Sequence, residues 1–351
     1  MRIFSIPFSR SRGSRGSYLV EYAKALILFS ARLLKLHAEN RYHIVHVHNM
    51  PDFLVFAAII PRIFGAKIIL DIHDPMPEFY MSKYKDRMNG AAVRLLQVEE
   101  KLSSMLAHAV ITANPRFKAR LVERGMCADK ITVINNVADP GVFSRDKHKG
   151  ECRGDGQHFT LIYPGTVAPR YGLDVAIRAL PLLVAKIPQI RLVILGAYSP
   201  HGDELAELAQ RIGVSSYVQF KPAIPVDEVA QQLVQADIGI YPALPDPYMD
   251  LITPVKVLEF AIMGIPIVAS RCQVLEELFT DSGIMFFEPR NVDQFARCVL
   301  ELFNSPGRRD QLVRNADRIF VATHSWSEER RAYFDLLNRL VASREDAIAV
   351  D

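Results

Sequence analysis

Short aliphatic runs alternate with longer stretches whose apolar positions recur every three or four residues, from one end of the chain to the other. In the first half the runs predict strands over 43–47, 67–71, 109–112 and 131–134. Helical segments fall between them near 53–64, 91–106 and 115–123. The second half repeats the scheme, with strands predicted over 160–163, 191–195, 218–220, 238–241, 266–269 and 283–286. Its helices fall near 173–186, 203–212, 226–235, 254–263 and 292–303. The strand runs are apolar throughout, as buried parallel strands are when helices cover both faces. The alternation predicts an α/β protein of two doubly wound, Rossmann-like domains. A polar, glycine-bearing stretch over 146–157 has no periodicity and reads as the linker between domains 1–148 and 157–322. The stretch 325–343 reads as one more amphipathic helix, with Trp326, Tyr333, Leu336, Leu337 and Leu340 as its stripe.

A chain of 351 residues is too long for one ordinary core and comfortable for two. Half its residues are hydrophobic, which is the composition of a folded globular protein. The 42 basic residues stand against 39 acidic ones, and this near balance argues against a nucleic-acid partner, which needs a large clustered positive excess. The local excess is N-terminal: Arg2, Arg10, Arg12, Arg15, Lys24, Arg32 and Lys35 face only Glu21 and Glu39. Cys127, Cys152, Cys272 and Cys298 form no C-x-x-C unit, so neither a disulfide framework nor a cysteine metal site is expected, and a reducing cytoplasm is. No apolar run has the length of a membrane span, and the N-terminus lacks a signal-peptide pattern. The segment 18–37 is mostly apolar with interspersed Arg and Lys. It reads either as an interfacial helix docking on anionic lipid, hence a peripheral location on the inner membrane face, or as a buried helix of the first domain.

The strongest chemical signal lies at the end of the strand over 238–241 and in the loop and helix that follow. Thr253-Pro254 opens the helix, where free N–H groups and the positive dipole end suit an anion. Lys256 adds a point charge for a phosphate, Glu259 one turn on suits ribose hydroxyls, and Gly264 is a natural C-cap. Taken singly, these residues read as an ordinary βαβ crossover. Pro164-Gly165-Thr166 through Arg170 and Gly172 forms a second βα loop, in which Gly165 admits a ligand close to the backbone and Arg170 suits a bidentate grip on a diphosphate. It is neither G-x-G-x-x-G nor a P-loop. Gly196 ends a third strand at the edge where open α/β sheets place ligands.

In the first half, His46, His48, Asn49 and Asp52 close one strand, and Asp71, His73, Asp74 and Glu78 close the next. His73 and Asp74 are the candidates for touching a sugar or orienting an acceptor hydroxyl. His46 and His48 are taken to alternate across their strand onto opposite faces, so no metal site is expected.

Together these segments, from about residue 10 to 343, resemble the family 4 retaining glycosyltransferases of the GT-B fold. The resemblance rests on Ala236-Asp237 through Pro242, Pro254-x-Lys256-x-x-Glu259, Gly264-x-Pro266, the Gly165–Gly172 loop, His73-Asp74-x-x-Pro77-Glu78, and Asn135-Asn136 through Phe143. It implies two domains facing across a cleft, the last helix crossing back onto the first. It also implies hexosyl transfer with retention, without metal or cofactor, from a nucleoside diphosphate sugar to a glycan or lipid-linked acceptor in surface polysaccharide or glycoconjugate assembly. Arg170 and Lys256 would match the diphosphate contacts, Glu259 the ribose contact and His73 the histidine near the transferred sugar. Two departures stand out. Leu251, with Asp250 beside it, occupies the place of a second glutamate, which leaves Asp250 as the substitute sugar contact. The usual opening strand and glycine-rich loop are also missing, so the first domain reads as shortened. That motivates the alternative of a truncated sugar-nucleotide-binding protein that has lost transfer. A sugar-nucleotide epimerase is a third reading.

Overall fold

A computed structural model describes residues 2–5, 15–84, 90–148, 156–196, 198–322 and 324–348. Arg10, Arg12, Cys152 and most of the expected linker lie outside the described residues. The chain divides into two compact units, residues 1–135 with 330–351 and residues 136–329.

The first unit is a parallel sheet in the order β1-β2-β3-β4, formed by Ile44–His48, Lys67–Ile72, Ala109–Thr112 and Ile131–Val133. Its helices are α1 (Arg15–Asn40), α2 (Ile59–Ile63), α3 (Met76–Lys83), α4 (Gly90–Leu106) and α5 (Pro115–Glu123). The helix expected over 53–64 starts instead as a 3-10 turn, Asp52–Ala58, and only its end is α-helical. Helix α3 had no expectation, because prolines at 75 and 77 bracket its start and mask it. Helix α1 packs Leu33 against the core and sets Tyr22 edge-on to Phe53, yet Ile27, Leu28 and Phe29 remain exposed. It is therefore a half-covered helix of the first unit.

Strand parity sorts the sheet's two faces. Val45, Val47, Ile68, Leu70 and Ile72 pack into one core with Val110, Leu121 and Ile131. Ile44, Ile69, Ala109 and Ile111 face the other side, where Tyr333, Leu336, Leu337 and Leu340 of the last helix cover them. The expectation that His46 and His48 point to opposite faces is wrong. Residues two apart on a strand share a face, and the two rings stack with centroids 4.3 Å apart.

The second unit is a six-stranded parallel sheet in the order β10-β9-β8-β5-β6-β7. Its strands are β5 (Phe159–Pro164), β6 (Ile190–Leu195), β7 (Val218–Lys221), β8 (Ile238–Tyr241), β9 (Ile267–Ser270) and β10 (Met285–Phe287). Helices α6 (Leu173–Val184), α7 (Pro200–Arg211), α8 (Val226–Val234), α9 (Val255–Met263), α10 (Gln273–Gly283), α11 (Val292–Asn304) and α12 (Pro306–Ala316) surround it. Helices α10 and α12 were not expected. Residues 136–148 belong to this unit: the Arg145 guanidinium donates to the Ile262 carbonyl and pairs with Asp317. The final helix, α13 (Trp326–Ile348), joins the first unit from Arg330 onward. The strand order reverses between β5 and β8, which makes the carboxyl ends of that pair the topological switch point.

Candidate functional site

Three loops meet at the switch point of the second unit. After β5 the backbone turns at Gly165, whose φ of +113° an L side chain rarely adopts. A β-carbon there would stand 3.1 Å from Lys256 Nζ. Gly196, which ends β6 at φ +84°, lies against Gly165, and its own β-carbon would meet the Gly165 carbonyl at 2.6 Å. Gly172 closes the first loop at φ +60° beneath the Pro242 carbonyl that follows β8. Each glycine lets one strand's exit loop touch its neighbour's, and Gly165 and Thr166 stay exposed on top.

Helix α9 begins at this junction. Pro254 is its N-cap, with an extended backbone, rather than its first helical residue, so the free N–H groups belong to Val255 and Lys256. Val257 N–H already bonds the Pro254 carbonyl. Thr253 leads into the cap, and Gly264 ends the helix at φ 69° as the sequence suggested. On the inner side Gly239 of β8 admits the Phe260 ring, since a β-carbon there would meet it at 2.6 Å.

Lys256 sits in a cage of tyrosines that the sequence reading missed. Its ammonium donates to the Tyr163 hydroxyl at 2.7 Å and lies 3.9 and 4.6 Å from the Tyr163 and Tyr171 ring centres. Tyr163 in turn donates to the Thr166 carbonyl. Arg170 lies over the same Tyr171 ring, with its guanidinium carbon 5.4 Å away, and over Tyr248. Arg170, Lys256 and Gly165 thus converge on one patch. No local signal marks this cage: Tyr163 lies near the end of β5 and Tyr171 in the turn before Gly172, and only packing brings both rings to Lys256. Burial pushes the Lys256 ammonium down to about 7, against the pull of the Glu259 carboxylate. Burial likewise raises Glu259 to about 7, and Lys256 restrains that rise. Asp250 is partly buried in the stretch between β8 and α9, where Asp246 accepts from the N–H groups of Tyr248 and Met249.

In the first unit, Asn49 straps the exits of β1 and β2 together. Its side-chain oxygen accepts from His73 N–H at 3.0 Å, and its amide donates to the Asp74 carbonyl at 2.8 Å and to Asp52 at 2.9 Å. His73 is exposed and Asp74 partly buried, so both present polar groups at the sheet's carboxyl edge. Glu78 turns inward instead and pairs with Arg124, which also holds Glu100. Burial raises Asp52 to about 7, with the Glu99 charge adding to it.

These two sheet edges can be compared with known proteins. Residues 11–142 match the family model "Glycosyltransferase Family 4", and residues 158–305 match "Glycosyl transferases group 1". A D-inositol 3-phosphate glycosyltransferase of Streptosporangium roseum is 23% identical over 297 residues, 80% of this chain. The chain spans 66% of that relative's length. Among solved structures, sucrose-phosphate synthase from Thermosynechococcus elongatus superposes with a TM-score of 0.73 at 18% identity, covering 91% of this chain and 79% of that one. HepE of Anabaena, solved in complex with UDP, gives 0.67 at 16% identity over 88% of this chain and 82% of its own. Both likenesses are of fold: two Rossmann-like domains of the GT-B type. With one glycosyltransferase family model on each domain and that fold beneath them, the chain is a family 4-type glycosyltransferase.

Proposed function

We propose that this chain transfers a hexose from a nucleoside diphosphate sugar to a glycan or lipid-linked acceptor, with retention, in the assembly of a surface polysaccharide or glycoconjugate. The observation that carries the reading is the convergence of Arg170 and Lys256 on one tyrosine ring beside the bare backbone of Gly165. Two cations and an exposed glycine at the end of a central strand suit a diphosphate, which needs positive charge and close backbone approach. HepE, a structural neighbour, was solved with UDP, which supports the same ligand class here.

In this reading Arg170, Lys256 and the α9 N-terminus hold the diphosphate, Gly196 and Thr166 line its approach, and Glu259 accepts hydrogen bonds from the ribose. The acceptor oxygen bonds to the anomeric carbon on the face from which the phosphate departs, and its proton passes to the leaving phosphate oxygen. Positive groups fixed where charge develops supply most of the rate enhancement. His73 and Asp74, held by Asn49, serve the transferred sugar and the acceptor hydroxyl, and Asp250 is assigned a sugar hydroxyl. The exposed Ile27, Leu28 and Phe29 of α1 are assigned to peripheral lipid contact.

A thermal-shift series with UDP, GDP and their sugars tests the reading. A ligand at ~100-fold its Kd stabilises by ~2.7 kcal/mol, or ~5–11 °C for a domain of this size. Arg170→Ala and Glu259→Ala should abolish the shift. No shift with any nucleoside diphosphate sugar refutes donor binding. A shift with neither product nor donor hydrolysis supports the sugar-nucleotide-binding alternative instead.

A further inference from the structure

Tyr163 is fully buried, yet its hydroxyl joins two parts of the exposed nucleotide patch. It accepts from the Lys256 ammonium at 2.7 Å and donates to the Thr166 carbonyl at 2.9 Å. One oxygen thus ties helix α9 to the loop that leaves β5. It is the only hydrogen-bond acceptor that the ammonium has among the described residues. Sheet geometry makes the link possible. Tyr163 stands one residue before the end of β5, and Tyr241 ends β8 on the neighbouring strand. Helix side chains lean toward the amino end of their helix, so the Lys256 stem runs back over these two strand exits.

Three π faces surround the same ammonium, with the ring centres of Tyr163, Tyr171 and Tyr241 at 3.9, 4.6 and 5.8 Å. A ring quadrupole attracts a cation without occupying its N–H donors. An ammonium has three such donors. One goes to Tyr163, which leaves two. They belong to a cation beside the bare backbone of Gly165, where a β-carbon would stand 3.1 Å from Nζ and the loop is exposed. A core that needed only a ring here would be served by phenylalanine, because a buried hydroxyl costs free energy unless it is hydrogen-bonded. Burial also pushes the Tyr163 phenol well above its ordinary range, which keeps the proton that it gives to Thr166.

We propose that Tyr163 is a positioning residue for the donor diphosphate: its hydroxyl, anchored on the Thr166 carbonyl, holds the Lys256 ammonium at the Gly165 turn with two N–H donors left for phosphate oxygens. Resting on the donor-binding reading above, Tyr163 acts only through Lys256 and touches no substrate atom.

Lys256 is faced by Tyr163 from β5, by Tyr171 from the turn Pro169–Tyr171, by Tyr241 from β8 and by Glu259 from its own helix, with Arg170 over the Tyr171 ring. Burial keeps the Tyr163 and Tyr241 phenols protonated, whereas Lys256 and Glu259 titrate near neutral pH. Isothermal titration of the full chain with UDP and with GDP, on wild type and Tyr163→Phe, therefore runs from about pH 6 to about pH 9. Loss of a hydrogen bond to a charged group should weaken both nucleotides ~10-fold at neutral pH. The ammonium also loses the acceptor that favours its charged form, so the fall in affinity with rising pH should begin ~1 pH unit lower in the variant. The titrations of the ligand and of Glu259 are common to both proteins. A purely structural tyrosine would cost the same factor at every pH. Urea unfolding without nucleotide shows whether the variant is folded and reads the same link: the rise in stability above neutral pH, which comes from Lys256, should also begin ~1 unit lower. In a Lys256→Met background, at millimolar UDP, Tyr163→Phe should cost nothing further, and this pair of variants strands no ammonium if the single variant fails to fold. A Tyr163→Phe affinity within ~2-fold of wild type, a loss independent of pH, or a further loss in the Lys256→Met background overturns the role of Tyr163. Absence of nucleotide binding by wild type counts against the donor-binding reading itself, and the urea measurement then judges the Tyr163–Lys256 link alone.

Discussion

Replacing Lys256 and Glu259 together by uncharged shapes, Lys256→Met with Glu259→Gln, should strengthen the fold and abolish nucleotide binding. Burial moves the Lys256 ammonium from 10.5 to about 7, equivalent to roughly 5 kcal/mol at 1.36 kcal/mol per pH unit. Glu259 moves from 4.5 to about 7, roughly 3 kcal/mol. The two costs do not add, because each charge relieves the other. Buried pairs exchanged for neutral groups of like volume gain ~1–4 kcal/mol. The lost Lys256–Tyr163 hydrogen bond takes back ~1 kcal/mol, and Tyr163 keeps its bond to the Thr166 carbonyl. A net gain of ~1–3 kcal/mol at pH 7 is expected. The pH dependence has a fixed sign. Between about 7 and 10.5 the folded state holds fewer protons on Lys256 than the unfolded chain, so wild-type stability rises with pH there. Between 4.5 and about 7 the folded state holds more on Glu259, so stability falls as pH rises. The variant's advantage is therefore largest near pH 7. Urea unfolding of nucleotide-free protein, followed by thermal shift with UDP and GDP, measures both quantities. A variant less stable than wild type by 1 kcal/mol or more, or one that keeps the nucleotide shift, refutes the view that this charge is held in reserve for an anion.

Three further outcomes are expected. Gly165→Ala should lose most nucleotide binding, since its β-carbon would crowd Lys256 Nζ at 3.1 Å on a backbone of φ +113°; isothermal titration with the best nucleotide checks this, and undiminished affinity contradicts it. Asp52→Asn should stabilise by ~1–3 kcal/mol at pH 8 and little at pH 4, because the folded carboxyl, raised from 3.8 to about 7, loses stability as pH rises through 7; denaturation at the two pH values decides it. Arg124→Ala should cost ~3–5 kcal/mol, since it strands the buried Glu78 and Glu100 carboxylates, and Arg124→Ala with Glu100→Gln should recover part of that loss.

The relation of sequence to structure differs between the two sheet edges. In the second unit every strand was legible, because buried parallel strands are uniformly apolar, and Gly165 and Gly196 mark the exits of β5 and β6. Gly165, Arg170, Lys256 and Gly264 could be named for the same reason: each sits at a position where backbone freedom, a charge or a cap is needed locally. Local patterns missed α10, which starts at Cys272 without a capping side chain, and α12, despite the Ser305-Pro306 start, and set Pro254 one residue too far into its helix.

What the sequence by itself determined was the order of strands and helices, the two-domain plan and the identity of the charged residues at the strand ends, since all of these follow from periodicity and residue type. The tertiary structure alone decided which side chains meet. Packing wraps Lys256 in Tyr163 and Tyr171, and register sets His48 beside Asp71 with His73 closing the group. Such encounters join residues tens of positions apart, and no local pattern encodes them. Sheet pairing and helix burial impose them, because only the folded chain removes these groups from water and brings them into one another's reach.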